Sequence, residues 1–169
     1  MDSRLIKINQ VKLDNDCNRQ NRKMDDFRLT FDPLDVNVAY IAADLDRNGA
    51  VVLMSGMVRN QTDGKAVDYL DYQAYDQMAL RVFEQIAQTA RQKYPDISGV
   101  VIHHRLGKLK VGEISVIVAV GSPHRGEAFE ACRYSIDTLK YNAPIWKKEY
   151  WLDGDSTWVT GTPKQATYD

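Results

Sequence analysis

The stretch from Val111 to Trp151, VGEISVIVAVGSPHRGEAFEACRYSIDTLKYNAPIWKKEYW, limits what this chain can fold into more than any other. Ile114, Val116, Val118 and Val120 recur at period two while Ile117 and Ala119 fill the alternate face, which predicts a strand covered on both sides in the middle of a sheet. Ser122 suits an N-cap and Pro123 a first helical position, so a helix is expected to begin at once. Phe129, Cys132, Ile136 and Leu139 give that helix an apolar stripe, and Pro144 stops it. Cations mark both ends: His124 and Arg125 at the start, Lys140 near the finish, Lys147 and Lys148 just past the proline.

A strand feeding a helix N-terminus presents backbone N–H groups to an anion, and His124 and Arg125 stand beside them. They either complete an anion site or are ordinary solvated residues of a first turn. Lys140 lies sixteen positions beyond His124, about 24 Å on a straight helix. One small ligand meets both only if the helix start of one copy approaches the helix end of another across a two-fold axis, which predicts a homodimer with shared pockets. The turn at Pro144 can fold the amines of Lys140 and Lys147 toward one point. Crowded cations lower each other's proton affinity, which suits a general acid or base. A basic helix end complementing the dipole is the other reading.

Elsewhere the pattern alternates between helix and strand. Residues 1–28 form a polar extension, partly disordered or at most one edge strand; 29–160 form a single domain; 161–169 form a tail. Asp35 caps a helix whose face is Val38, Ile41, Ala42 and Leu45, closed by Asn48-Gly49. Ala50 to Val58 and Ala66 to Tyr75 make two strands around a turn at Asp63-Gly64, with Arg59 at the loop mouth and Gly56 able to admit a close backbone approach. Asp76 to Tyr94 is a helix with Met78, Val82, Ile86, Ala90 and Tyr94 as core. In the strand Gly99 to His104, His103 and His104 face opposite sides, one packed and one exposed, and cannot share a metal. A terminal hairpin turns at Asp153-Gly154. The fold class is α+β, with a mixed, mainly antiparallel sheet and about three helices.

With 22 basic and 23 acidic residues the net charge is -1, so nothing draws the whole chain to nucleic acid or membrane and any positive site is local. Cys17 and Cys132 make no disulfide framework, and no apolar run is long enough to span a bilayer, which places the chain in a reducing cytoplasm.

The runs SPHRGEAFEACRYSIDTLK and YNAPIWKKEYW, with SGMVRNQTDGKAVDYLDYQAY and HHRLGKLKVGEISVIVAV, closely resemble the large, catalytic subunit of molybdopterin synthase across roughly Phe31 to Val159. The resemblance implies an α/β-hammerhead-type fold and a homodimer within a heterotetramer. Each copy would bind a small ubiquitin-like sulfur carrier through its Gly-Gly thiocarboxylate tail. The implied sulfur transferase converts cyclic pyranopterin monophosphate into the molybdopterin dithiolene, in molybdenum cofactor biosynthesis, with no metal and no other cofactor at this step. By motif, Lys140 and Lys147 correspond to the catalytic lysines. Arg59, His124 and Arg125 correspond to residues holding the pterin and its phosphate, and Met57, Val58, Lys148 and Glu149 line the same site. A carrier-docking protein without catalysis and an unrelated phosphate-binding module are the competing readings.

Overall fold

The computed structural model describes residues 25–159, whose elements run β1 (Asp26–Thr30), α1 (Val36–Ala43), β2 (Ala50–Met57), β3 (Gln61–Thr62), β4 (Lys65–Ala74), α2 (Asp76–Lys93), β5 (Val100–Arg105), β6 (Gly107–Lys110), β7 (Ile114–Ser122), α3 (Arg125–Asn142), β8 (Ile145–Trp151) and β9 (Ser156–Trp158). The expected extension before Asp25, with Cys17, and the expected tail after Val159 lie outside the described residues.

Two sheets divide the work. The first has the order β1-β5-β7-β2, so the doubly apolar strand is interior as its pattern requires. Among the described residues only β1 and β5 run parallel, and the other pairings are antiparallel. One face of this sheet meets α2 and α3 through Val100, Ile102, Val116, Val118 and Val120, around Phe83, Ile86, Cys132, Ile136 and Leu139. The other face meets α1 through Val101, Ile117 and Ala119. The second sheet, β3-β4-β8-β9 with β6 also on β4, has its own small core of Val58, Val67, Leu70, Leu109 and Trp151.

Among the described helices only α1 buries small residues alone; α2 and α3 mix alanines with large apolar residues. In α1 the buried pair is Ala39 and Ala43, while Ile41 is 71% exposed and Val38 faces out, contrary to the expected stripe. The reason is close approach, since only alanines let an eight-residue helix lie flat on Ile117 and Ala119. Asp35 caps α1 as expected, accepting from the Asn37 N–H at 2.8 Å, but the helix stops at Ala43 and Asn48 instead donates to the Ala43 carbonyl at 2.9 Å. In α2 the core stripe is Ala79, Leu80, Phe83, Ile86, Ala87 and Ala90, and Met78 is exposed. In α3 it is Ala128, Ala131, Cys132, Ser135, Ile136 and Leu139, leaving Phe129 61% exposed.

The cap of α3 is also displaced. His124 holds the N-cap position, in extended conformation, and Ser122 ends β7. The Ser122 hydroxyl accepts from the His124 N–H at 3.3 Å and donates to Glu127 at 3.2 Å, bracing the turn from two residues earlier. Pro123 lies in the connection. At Gly56 the close neighbour is internal, because a Cβ there would lie 2.8 Å from Val116 Cγ1.

His103 and His104 do face opposite sides, but both are buried, because helices cover both faces of the sheet. His103 Nε2 lies 3.1 Å from Asp26 Oδ2, in ion-pair range without the line of a good hydrogen bond. Burial alone would raise the Asp26 pKa, but His103 and Arg28 outweigh it and hold it down at about 2. His104 packs edge-on against Tyr72, and burial pushes its pKa down to about 4 despite its contact with the Arg105 carbonyl.

Candidate active site

Strand alternation sorts the residues of β8. In IWKKEYW, Lys147, Glu149 and Trp151 share one face, and Trp146, Lys148 and Tyr150 the other. Register with β4 sets Lys147 opposite Tyr72, Glu149 opposite Leu70 and Trp151 opposite Val67, on the side of the small second core. Lys147 Nζ donates to Glu149 Oε1 at 3.0 Å, and the Glu149 side chain is 2% exposed. A carboxylate so buried needs this partner.

Lys148 points away from that pair. It stands over the rings of Tyr150 at 5.0 Å and Trp158 at 6.0 Å, on the outer face with the stacked rings of Tyr69 and Tyr150. Within one copy it cannot line the pocket face that Lys147 lines, and the expected joint role divides here. The pleat was legible in the sequence; the inner and outer sides became known only with the partner strand.

Lys140 lies exposed on the last turn of α3, which closes through the Ala143 N–H on the Leu139 carbonyl at 3.0 Å. Ile145 N–H then returns to the Ala143 carbonyl at 2.7 Å, so the link from Lys140 to β8 is tight. Met57, 60% exposed, ends β2; buried Val58 crosses to the second core with Trp151 and Leu70; Arg59 follows, exposed.

His124 and Arg125 are at the opposite end. The β2–β7 register sets Ala50 against Ser122 at one end and Met57 against Ile114 at the other, an eight-residue strand about 24 Å long. α3 returns along β7, as the 3.6 Å contact of Cys132 Sγ with the Val118 carbonyl shows. Each copy therefore carries His124 and Arg125 at one end of the β2–β7 pair and Arg59 past the other, with Asn60 beside Val67 of β4, while Lys140 ends α3 and Lys147 stands opposite Tyr72 on β8. One chain does not bring the two ends together.

Two further residues belong to the β8 face. Tyr72 faces Lys147 across the strands, and the Trp151 indole N–H is buried with no acceptor among the described residues. The alternation Lys147, Glu149, Trp151 was the signal that could have found Trp151. Cys132 is a buried core residue whose thiol burial pushes up to about 11, which suits no nucleophile. Among the described residues no three His, Cys, Asp or Glu side chains are placed to hold a metal ion, and no helix is long and apolar enough to cross a membrane.

Residues 29–142 match the model of a family described as MoaE protein. The chain is 65% identical over 136 residues to a molybdopterin synthase catalytic subunit of Nostoc sp., spanning 80% of this chain and 82% of that one. Its fold is similar to that of a molybdopterin synthase crystal structure from Staphylococcus aureus, with a TM-score of 0.75 and 38% identity over 79% of this chain and 96% of that one. A chain from Helicobacter pylori, in a complex of subunits 1 and 2 of molybdopterin-converting factor, shares the fold at 22% identity, TM-score 0.66, over 80% of this chain and 91% of that one.

Proposed function

This chain belongs to the MoaE protein family, and on that premise we propose that it is the catalytic subunit of a molybdopterin synthase. It transfers sulfur from the thiocarboxylated tail of a small ubiquitin-like carrier to cyclic pyranopterin monophosphate, giving the dithiolene of molybdopterin. It works in the cytoplasm, as part of a homodimer with one carrier on each copy.

The observation that carries the reading is Lys147 held on the buried carboxylate of Glu149, one tight link from Lys140. In each half of the reaction the tail sulfur forms a bond to a pterin side-chain carbon as that carbon's bond to oxygen breaks. The oxygen leaves on the opening cyclic phosphate at one carbon and as water at the other. Water then cleaves the bond from sulfur to the carrier acyl carbon. The carrier leaves with an ordinary carboxylate, and a second carrier repeats the step. Charge develops on the tail and on the opening cyclic phosphate, where fixed cations stabilise it more than in the ground state. Lys140 and Lys147 serve the sulfur and acyl steps as proton donor and acceptor. Arg59, with His124 and Arg125 from the second copy, grips the pterin phosphate; Met57 and Val58 line the approach. Glu149 positions Lys147, and Lys148 acts from the outer face.

Reconstitution tests this. The chain, thiocarboxylated carrier and cyclic pterin should yield the dithiolene product. Carrier binding without any product would leave the docking reading standing and remove this one.

A further inference from the structure

We propose that the stacked pair Tyr69 and Tyr150 selects which of the two adjacent lysines of β8 faces the site, by locking that strand in the register that turns Lys147, and not Lys148, toward Glu149. This rests on the role given to Lys147 above. It follows from a strand whose own sequence does not choose a face and from a row of side chains that chooses for it.

A slip by one residue moves every side chain of a strand to its other face, so a strand whose faces read alike is weakly held in register. In IWKKEYW the inward set is Ile145, Lys147, Glu149 and Trp151, and the outward set is Trp146, Lys148 and Tyr150. Each set has one lysine and one tryptophan, and only the inward set has a carboxylate, which burial disfavours. Hydrophobic pattern alone therefore does not turn Lys147 inward.

The choice is made at a bulge. Val67 faces Trp151 and Tyr69 faces Tyr150, so Asp68 is an extra residue on β4. Absorbing Asp68 into the ladder would slip β8 by one, setting Lys148 opposite Leu70 and Trp146 opposite Tyr72, where Glu149 and Lys147 now stand. The first pair beyond the bulge is the stacked one, with ring centroids 4.3 Å apart and planes 13° from parallel. Lys108 of β6 stands over the Tyr69 ring at 3.6 Å, and Lys148 over Tyr150 at 5.0 Å and over Trp158 of β9 at 6.0 Å. One row thus ties β6, β4, β8 and β9 in this register. In the slipped one Tyr69 would meet Glu149, and the stack and both Lys148 contacts would be lost. Tyr69 and Tyr150 touch no reacting atom; they are positioning residues that act through Lys147.

Cross-strand NOEs on the full chain read the register without reading chemistry, and steady-state kinetics on the same samples reads its consequence. The parent should show Tyr72 paired with Lys147 alone. Tyr150→Leu, which keeps apolar bulk without a stack, should add a second set of NOEs, from Tyr72 to Trp146 and from Leu70 to Lys148. Its kcat should fall in proportion to that set, with KM and carrier affinity unchanged, because slipped molecules offer a lysine without its carboxylate and are silent. Tyr150→Phe, which keeps the ring, should return one register and the parental kcat, and Tyr69→Leu repeats the test from the other strand should Tyr150→Leu not fold. A single parental register in the leucine variant overturns the proposal, whether its melting temperature or its kcat falls or not. Two registers in that variant beside a parent that makes no dithiolene would keep the lock and remove the function alone.

Discussion

Lys147 and Glu149 bond to each other across one pleat of the same strand, and only the lysine has a view of solvent. The strand itself sets the spacing, so the amine is aimed by backbone geometry before any substrate arrives. A buried carboxylate with one charged partner also makes the pair asymmetric, because losing the lysine strands a charge while losing the glutamate frees an amine that can turn outward.

That asymmetry bears on the most direct test of catalysis. Lys147→Ala should abolish sulfur transfer but also lower stability by about 1 to 3 kcal/mol, through the unpartnered Glu149. Adding Glu149→Gln should restore part of the stability and none of the activity. Thermal unfolding of both variants beside the transfer assay checks it; a Lys147→Ala protein as stable as the parent would mean that Glu149 does not depend on that amine.

Subunit mixing tests the division of cations between the ends of α3. Arg125→Ala and Lys147→Ala chains should each be inactive alone. If equal amounts exchange subunits freely, half of the dimers are mixed and each keeps one intact site of two, so about a quarter of full activity should return. No recovery after verified exchange would place all the cations of a site in one copy.

Much of this arrangement was legible before any coordinates. The centre strand declared itself by apolar residues on both faces, and the turns at Asp63-Gly64 and Gly154 by residues that accept positive φ. What escaped were β1, β3 and β6, which are short or charged and carry little periodic signal. In α2 and α3 Ile86, Ala90, Cys132, Ile136 and Leu139 are buried as expected, and the misplaced residues are few. Large residues such as Ile41, Met78 and Phe129 look like core yet are exposed; in α1 the close approach to the sheet is made by Ala39 and Ala43 instead. Both histidines were buried by neighbours distant in sequence, which a local pattern does not contain.

Acid stability follows from one of those histidines. Folding holds the His104 pKa at about 4 against its ordinary 6.5, chiefly through burial. The unfolded chain therefore takes up a proton that the folded chain refuses, so stability is complete above about pH 6.5 and falls by about 3 kcal/mol as pH drops to about 4. Asp26, depressed from 3.8 to about 2, adds a smaller loss below pH 4. Urea unfolding between pH 4 and 7 should show the first slope in the parent and a flatter one in His104→Phe, which keeps a ring against Tyr72; equal slopes would assign the loss elsewhere.

The turn that carries His124 is set by a glycine on another element. A Cβ at Gly49 would fall 2.3 Å from the Pro123 carbonyl oxygen, against rigid backbone, while the Gly49 N–H holds the Ser122 carbonyl at 3.1 Å. Gly49→Ala must push the Pro123 turn away, at a cost of about 1 to 3 kcal/mol for overpacking. Because His124 and Arg125 ride on that turn while Lys147 lies at the other end of α3, the damage should divide unevenly. KM for the cyclic pterin should rise several-fold, with carrier affinity unchanged. Steady-state kinetics on Gly49→Ala, with carrier binding measured separately, decides it: weakened carrier binding with an unchanged pterin KM would detach His124 and Arg125 from the phosphate.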